Sequence, residues 1–436
     1  MNVHPFVSAV RDLPLTARTG RVRRILPTSI EADGPDAPLG ALCSVQTLTG
    51  SILAEVAGVH ADHVVLTPVE DGGQTFSGAL VTAVPAADGA PVGDALLGRA
   101  VDAFGRPLDD AGPILGASTA PLEAAAASPL ARVSPGTIIE TGIRVVDGLL
   151  TLGHGQRVGV FAAAGVGKTS LMTQLAQQVR ADKCVVCLVG ERGREVEALW
   201  SRGLSAEAKS RSVLVAATSD QLAAMRVRAC RYALALAEHW RKQGQHVLLL
   251  LDSVTRLAMA LREIGLAAGE PPTVRAYTPG VFAAIPRLVE RCGALKTGGS
   301  ITAVMTVLAE TDDVDDPISE MMKSLLDGHV ILSRTLAEQG HFPAIDAPRS
   351  VSRLASSLMS ASHRQAATEA LRLLSTYETS RTLIETGVYM PGASKEIDEA
   401  IERRPGLQAF LRQRPDEFSG LAATQQALAA LLRKAA

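Results

Sequence analysis

Arg157-Val158-Gly159-Val160-Phe161 runs directly into Ala162-Ala163-Ala164-Gly165-Val166-Gly167-Lys168-Thr169, and this stretch decides the fold. The first five residues have the apolar run of a buried strand. Beyond Thr169, a helix is expected, because Leu171, Met172, Leu175, Ala176 and Val179 fall on one face. A strand, a Gly-rich turn and a helix in that order are the setting of a phosphate-binding loop. Gly165 and Gly167 allow the backbone to turn its N–H groups inward, and the helix N-terminus adds positive potential. Gly165, Val166, Gly167, Lys168, Thr169 and Ser170 are therefore expected to bind a nucleotide. Lys168 would reach its β- and γ-phosphates, and Thr169 would coordinate Mg²⁺. Ala162 stands where the usual pattern has its first glycine. Ordinary backbone dihedrals at that position would make the exchange harmless.

Two further signals lie downstream. The apolar run 247–251 ends in Asp252, and a carboxylate at the tip of a buried strand can hold Mg²⁺ beside a phosphate loop. Many strands end in Asp, so the signal gains force only from its pairing with the loop upstream. The run 185–189 is followed by Gly190-Glu191-Arg192-Gly193-Arg194-Glu195. A carboxylate just past a strand tip can polarise an attacking water, and neighbouring arginines can steady charge on a γ-phosphate. From spacing alone, a surface lattice of Glu and Arg on a helix start fits this segment equally well.

Outward from these motifs, apolar runs alternate with helix-period segments from about residue 142, the pattern of a parallel α/β sheet. The expected strands are 157–161, 185–189, 213–216, 247–251, 301–308 and 329–333. The fold class is thus α/β: a phosphate-loop core with a parallel sheet, preceded by a small β-barrel or sandwich and followed by a C-terminal helical domain. The barrel or sandwich is read from β-prone runs at 20–26, 64–67 and 79–84 with turns between them. Residues 104–136, rich in Gly, Pro, Ala and Ser, read as an irregular connection. Residues 356–380 and 395–435 are helix-prone, with breaks expected at Pro391-Gly392 and Pro405-Gly406. The expected domains are 1–92, 93–355 and 356–436. Pro5 and Pro14 bracket a short segment with Phe6, Val7, Val10 and Leu13 that suits a loose terminal helix.

Composition excludes several classes. At 436 residues with 47% hydrophobic and 20% charged side chains, the chain can build large cores and is not a disordered scaffold. No run reaches the ~18 apolar residues of a spanning helix, and residues 1–20 lack the layout of a secretory signal. The net charge of −2 and an aromatic content of 3% argue against a nucleic-acid binder, which would use basic grooves and stacking rings. Phe76 is the one aromatic between residues 20 and 92, where such a surface would be sought. The five cysteines imply no disulfide framework. Cys184 and Cys187 lie in a strand, three residues apart, and read as core. The run Asp312-Asp313-Val314-Asp315-Asp316 lacks the alternation and central glycine of a Ca²⁺ loop and reads as a solvated acidic loop. His329 and His341 have no companions at ligand spacing.

Taken in order, the motifs resemble the catalytic subunits of the rotary ATPase superfamily, and within it the type III protein export ATPases of flagella and injectisomes. The resemblance rests on Leu97-Gly98-Arg99, Gly105-Arg106-Pro107-Leu108-Asp109, Gly155-Gln156-Arg157, Gly190 through Glu195, Gly269-Glu270-Pro271-Pro272, Asp327-Gly328-His329, Gly340-His341-Phe342-Pro343-Ala344-Ile345-Asp346 and Ser350-Val351-Ser352-Arg353. It implies that Glu191 orients the attacking water and that Arg192 sits near the γ-phosphate. Phe342 would pack on the adenine, where relatives often carry Tyr, and Arg353 would be an arginine finger inserted into the neighbouring subunit's site. It also implies a P-loop (RecA-like) core with a small N-terminal β-barrel, ATP and Mg²⁺ as cofactors and a homohexamer. Stalk and regulatory proteins of an export apparatus, export substrates and their chaperones are the implied partners. The implied location is cytoplasmic, peripheral at the inner face of the membrane, with no nucleic acid bound. Arg262-Glu263-Ile264-Gly265-Leu266-Ala267 and Ser394-Lys395-Glu396-Ile397-Asp398-Glu399-Ala400-Ile401 resemble the flagellar branch more than the injectisome branch. A non-hydrolysing ring subunit, an RNA translocase and an ATP-synthase catalytic subunit are the competing readings.

Overall fold

The computed structural model describes residues 17–71, 73–84, 89–309 and 316–433. The terminal segment 1–16 and residues 312–315 of the acidic run lie outside them. The described residues divide into two compact units.

The first holds the residues up to Gly89 together with Gln221–Val227 and Met259–Phe282. Its strands are β1 (Thr19–Ile25), β2 (Ile30–Ala32), β3 (Leu42–Gln46), β4 (Ser51–Val59), β5 (Val64–Pro68) and β6 (Leu80–Ala83). They close in the order β1-β2-β5-β4-β3-β6, every pairing antiparallel. Alternation builds the interior: along β4, Ile52, Ala54 and Val56 are buried while their neighbours are more exposed, and they meet Val22, Ile30, Val45, Leu66 and Val81. The sequence reading names three of the six strands. It passes over β4, the longest, because Ala54, Ala57 and Gly58 carry little β-propensity. The small size of Ala54 and Gly58, both buried, is what a narrow barrel interior needs.

The second unit is built on a sheet whose principal strands are β7 (Arg157–Ala162), β8 (Lys183–Val189), β9 (Ser212–Ala217), β10 (His246–Asp252), β11 (Ser300–Leu308) and β12 (Gly328–Ile331). The order is β12-β7-β11-β10-β8-β9, all parallel, with Ala100–Val101 beyond β9 and Val351–Ser352 antiparallel on the edge at β12. Every residue of β10 is buried, as expected where helices cover both faces. The register places Ala162 opposite Leu308, Leu251 opposite Met305 and Leu188 opposite Asp252, so the strands end together on one side of the sheet. Cys184 and Cys187 are free and buried in β8.

Three sequence expectations need correction. The strand expected through residue 333 stops at Ile331, because Ser333 instead caps the helix Arg334–Glu338, its hydroxyl accepting from the Leu336 N–H. The irregular stretch 104–136 contains short strands at Ser118–Pro121 and Arg132–Val133. The C-terminal helices are α1 (Ala361–Glu385), α2 (Lys395–Leu411) and α3 (Leu421–Leu432), and α2 runs through Pro405-Gly406 where a break is expected. Buried Leu407, Phe410 and Leu411 carry the helix past the proline, and the bare face of Gly406 lets Leu431 approach closely. Tertiary burial here outweighs the proline penalty.

Candidate active site

The loop between β7 and the helix Lys168–Gln178 is shaped by two glycines in the left-handed region, Gly165 (φ 82) and Gly167 (φ 96). A side chain would strain both positions. Val166 is buried and pins the loop from below. Gly167 is the N-cap, so the free N–H groups of the first helical turn face the loop. Leu171, Met172, Leu175 and Ala176 face the core, as the periodicity predicts.

The strand order brings the expected residues together. Lys168 Nζ lies 2.6 Å from Asp252 Oδ1 at the tip of β10 and 3.2 Å from Glu191 Oε1 just beyond β8. The Thr306 hydroxyl donates to the same Asp252 oxygen at 2.7 Å. All three charged groups are largely buried, with side-chain exposures of 11% for Lys168, 12% for Glu191 and 3% for Asp252. Burial alone would lower the Lys168 pKa. The charges of Asp252 and Glu191 outweigh it and hold the ammonium above its ordinary value. For Glu191, burial and then the Asp252 charge raise the carboxyl above its usual range, against the pull of Lys168. The cluster therefore carries one cation and two carboxylates on the rim of a phosphate cradle. Hydroxyl and carboxylate oxygens at Thr169 and Asp252 form a donor set suited to a hard cation such as Mg²⁺.

Arg192 caps the helix Gly193–Glu197 through its backbone, and its side chain is exposed. Phe342, 42% exposed, lies over the loop: a Cβ placed on Gly167 would come 3.5 Å from its ring. It lines a pocket of 230 Å³ with Ser170, Leu171, Gln174, Gln413 and Pro415. Arg353 stands elsewhere. Its backbone N–H donates to Asp327 O, and the Asp327 N–H donates to Arg157 O at the opening residue of β7. The phosphate loop leaves the other end of that strand, about 16 Å away at ~3.3 Å per residue. The Arg353 guanidinium donates to Lys323 O at 2.9 Å.

Sequence reasoning missed Thr306, Arg256, Gln413 and Pro415. Thr306 is a hydroxyl inside an otherwise apolar strand, a signal available in the sequence. Arg256 packs its aliphatic stem on Gly190, within 3.0 Å of where a Cβ would stand, and its buried Nε has no partner among the described residues. Gln413 and Pro415 reach the pocket from far along the chain, which no local pattern announces.

Comparison with known proteins shows the family and the fold. Residues 142–352 match the pattern of the ATP synthase alpha/beta family, nucleotide-binding domain, and residues 359–430 match the T3SS EscN ATPase C-terminal domain. The chain belongs to the ATP synthase alpha/beta family, on its branch of flagellar and type III secretion ATPases, and it is an ATPase. The flagellum-specific ATP synthase of Bacillus subtilis is 44% identical over 436 residues, covering 99% of each chain. The type 3 secretion system ATPase of Sinorhizobium fredii is 44% identical over 424 residues, 95% of this chain and 94% of that one. Among solved structures, the assembled ATPase EscN of the enteropathogenic E. coli type III secretion system superposes with a TM-score of 0.90 at 40% identity, covering 95% of this chain and 100% of that one. The same ATPase in complex with its central stalk EscO gives 0.86 at 38% identity, with the same coverage.

Proposed function

We propose that this chain is the Mg²⁺-dependent ATPase of a flagellar protein export apparatus, working as a homohexameric ring. The observation that carries the reading is the Lys168–Glu191–Asp252 cluster at the shared end of the parallel strands. In hydrolysis, Lys168 exchanges its two carboxylate partners for the β- and γ-phosphates. Glu191, freed of that ion pair, orients water for in-line attack on the γ-phosphorus. Thr169 and Asp252 would hold Mg²⁺, which when bound neutralises charge on the phosphate oxygens. The backbone N–H groups of Gly165 to Ser170 cradle the phosphates, and Phe342 covers the adenine face. Arg192 stands beside the γ-phosphate, and Arg353 completes the site of the adjoining subunit.

The flagellar assignment is supported by end-to-end similarity to the Bacillus subtilis flagellar protein. An injectisome ATPase is the second reading, favoured by equal identity to the Sinorhizobium fredii enzyme. On either reading, a central stalk protein, regulatory proteins of the apparatus, export substrates and their chaperones are the partners. The C-terminal helices are the surface offered to them, and the enzyme works at the cytoplasmic face of the membrane. Among the described residues, no helix is long and apolar enough to cross a membrane.

Glu191→Gln tests the core of this reading. ATP binding should persist while turnover falls by about 10²–10⁴, the usual worth of a positioned base. Turnover equal to wild type would defeat the assignment of Glu191.

A further inference from the structure

The helix Arg144–Leu149 begins with an arginine whose hydrogen-bonding groups are all directed at one segment of the C-terminal region. Arg144 Nε donates to Phe410 O at 2.7 Å, and its terminal nitrogens donate to Arg412 O and to the Glu417 carboxylate. Phe410 and Arg412 are at the end of α2, where helical carbonyls have no partners of their own. A guanidinium there also opposes the negative end of the helix dipole. The Arg144 side chain is 18% exposed, so its bond to Phe410 O is made partly out of water, while Glu417 stays 40% exposed.

The segment held in this way crosses to the 230 Å³ pocket. Gln413 is buried in an otherwise exposed run and acts as its peg. Its Oε1 accepts from the Arg144 N–H at 2.8 Å, and its Nε2 donates to Gly142 O at 2.6 Å. Its backbone N–H donates to Phe342 O at 2.8 Å, the residue that forms the pocket's opposite wall. Pro415 follows as the next lining residue, and its carbonyl accepts from Gln178 at 3.2 Å. Phe418 closes against Gly142, where a Cβ would come within 2.3 Å of the ring. One peg, Gln413, thus ties both walls of the pocket together, and the Arg144 side chain brackets it by holding Phe410 O and Arg412 O before it and the Glu417 carboxylate after it.

We propose that Arg144 is a positioning residue for the base end of the nucleotide, fixing residues 412–418 against Phe342 while taking no part at the phosphates. This rests on reading the Phe342 pocket as the base site. Truncating Arg144 leaves two helix-end carbonyls and Glu417 without their cation and lets the Pro415 wall drift. The phosphate loop, on a different element, keeps its shape.

The experiment compares binding of Mg-ATP with binding of Mg-tripolyphosphate, which has the phosphate chain but neither sugar nor base. Arg144→Ala should weaken ATP about tenfold, equivalent to about 1.4 kcal/mol, and leave tripolyphosphate within about twofold. KM for ATP should rise by the same factor with kcat little changed, as expected for lost uniform binding. Retained tripolyphosphate binding also shows that the variant is folded. Glu417→Gln keeps both carbonyl bonds and should shift KM in the same direction by a smaller factor. Unchanged ATP affinity in both variants, or equal weakening of ATP and tripolyphosphate, overturns the proposal. Phe342→Ala separates the two layers. If it loses ATP affinity selectively and Arg144→Ala does not, the Arg144 role fails alone; if neither does, the base-site reading fails with it.

Discussion

Lys168 is the residue on which the proposed chemistry turns, because its two ion-pair partners, Glu191 and Asp252, are the groups proposed to orient water and hold Mg²⁺. With Nζ at 2.6 Å from Asp252 and 3.2 Å from Glu191, the ammonium compensates two buried carboxylates. Neither could stay ionised cheaply without it. The raised pKa of Glu191 has a kinetic consequence. Its working form is the carboxylate, so kcat/KM should fall as pH drops through a pKa above the ordinary value of 4.5. In Glu191→Gln, that acid limb should disappear from the residual activity. A pH profile of kcat/KM measured on both proteins decides the matter; an identical acid limb in the variant assigns the titration to another group.

Among the elements, the starts of the sheet strands carry a second titratable feature, remote from the nucleotide. His246 opens β10 and stacks on His154, ring centroids 3.8 Å apart, with its Nε2 paired to Thr302 at 2.8 Å. Burial, with a smaller push from His154, lowers its pKa to about 4 against the nearby Asp182 charge. The unfolded chain, with His near 6.5, binds more protons between those values. This histidine's stabilising effect is therefore complete above pH 6.5 and is lost as pH falls toward 4. The total is roughly 3 kcal/mol. Wild type minus His246→Gln, compared by denaturant unfolding at pH 7.5 and pH 4.5, should show the difference shrink at the lower pH. A constant difference would remove His246 as the cause. The turn before β11 offers a packing test. A Cβ on Gly299 would stand 1.9 Å from the Gln245 carbonyl oxygen, so Gly299→Ala should lower stability by about 1–3 kcal/mol through backbone displacement. Equal melting temperatures would show that the turn can yield.

At the scale of the whole molecule, the position of Arg353 determines what a single chain can do. It sits by the first residue of β7, while the phosphate loop leaves the last. If Arg353 is the finger proposed above, worth about 10³–10⁵ in turnover, an isolated protomer should be nearly inactive and specific activity should rise with protein concentration as rings form. Arg353→Ala and Lys168→Ala should each be inactive alone. Mixed, they should recover activity, because some interfaces then pair an intact Lys168 with an intact Arg353. No recovery in mixed rings shown to contain both chains would exclude action across the interface.

What the amino-acid sequence determined by itself was local: the strand–loop–helix around Lys168, the carboxylates at the ends of apolar runs, and the alternation of strands and helices that requires a parallel sheet. These are legible because glycine dihedrals, helix periodicity and strand burial act over a few residues. The N-terminal β structure was legible as a barrel or a sandwich, although β4 was hidden by small residues whose value lies in the space they leave, and its closure was decided only by the strand pairing. Only the tertiary structure decided that Lys168 meets both carboxylates, because strand order is not written in any one strand. It alone carried α2 through Pro405, through packing against distant leucines, and it alone brought Gln413 beside Phe342 under the hold of Arg144. Hydrogen bonds between residues far apart in the chain form only once the whole core has fixed both partners in place.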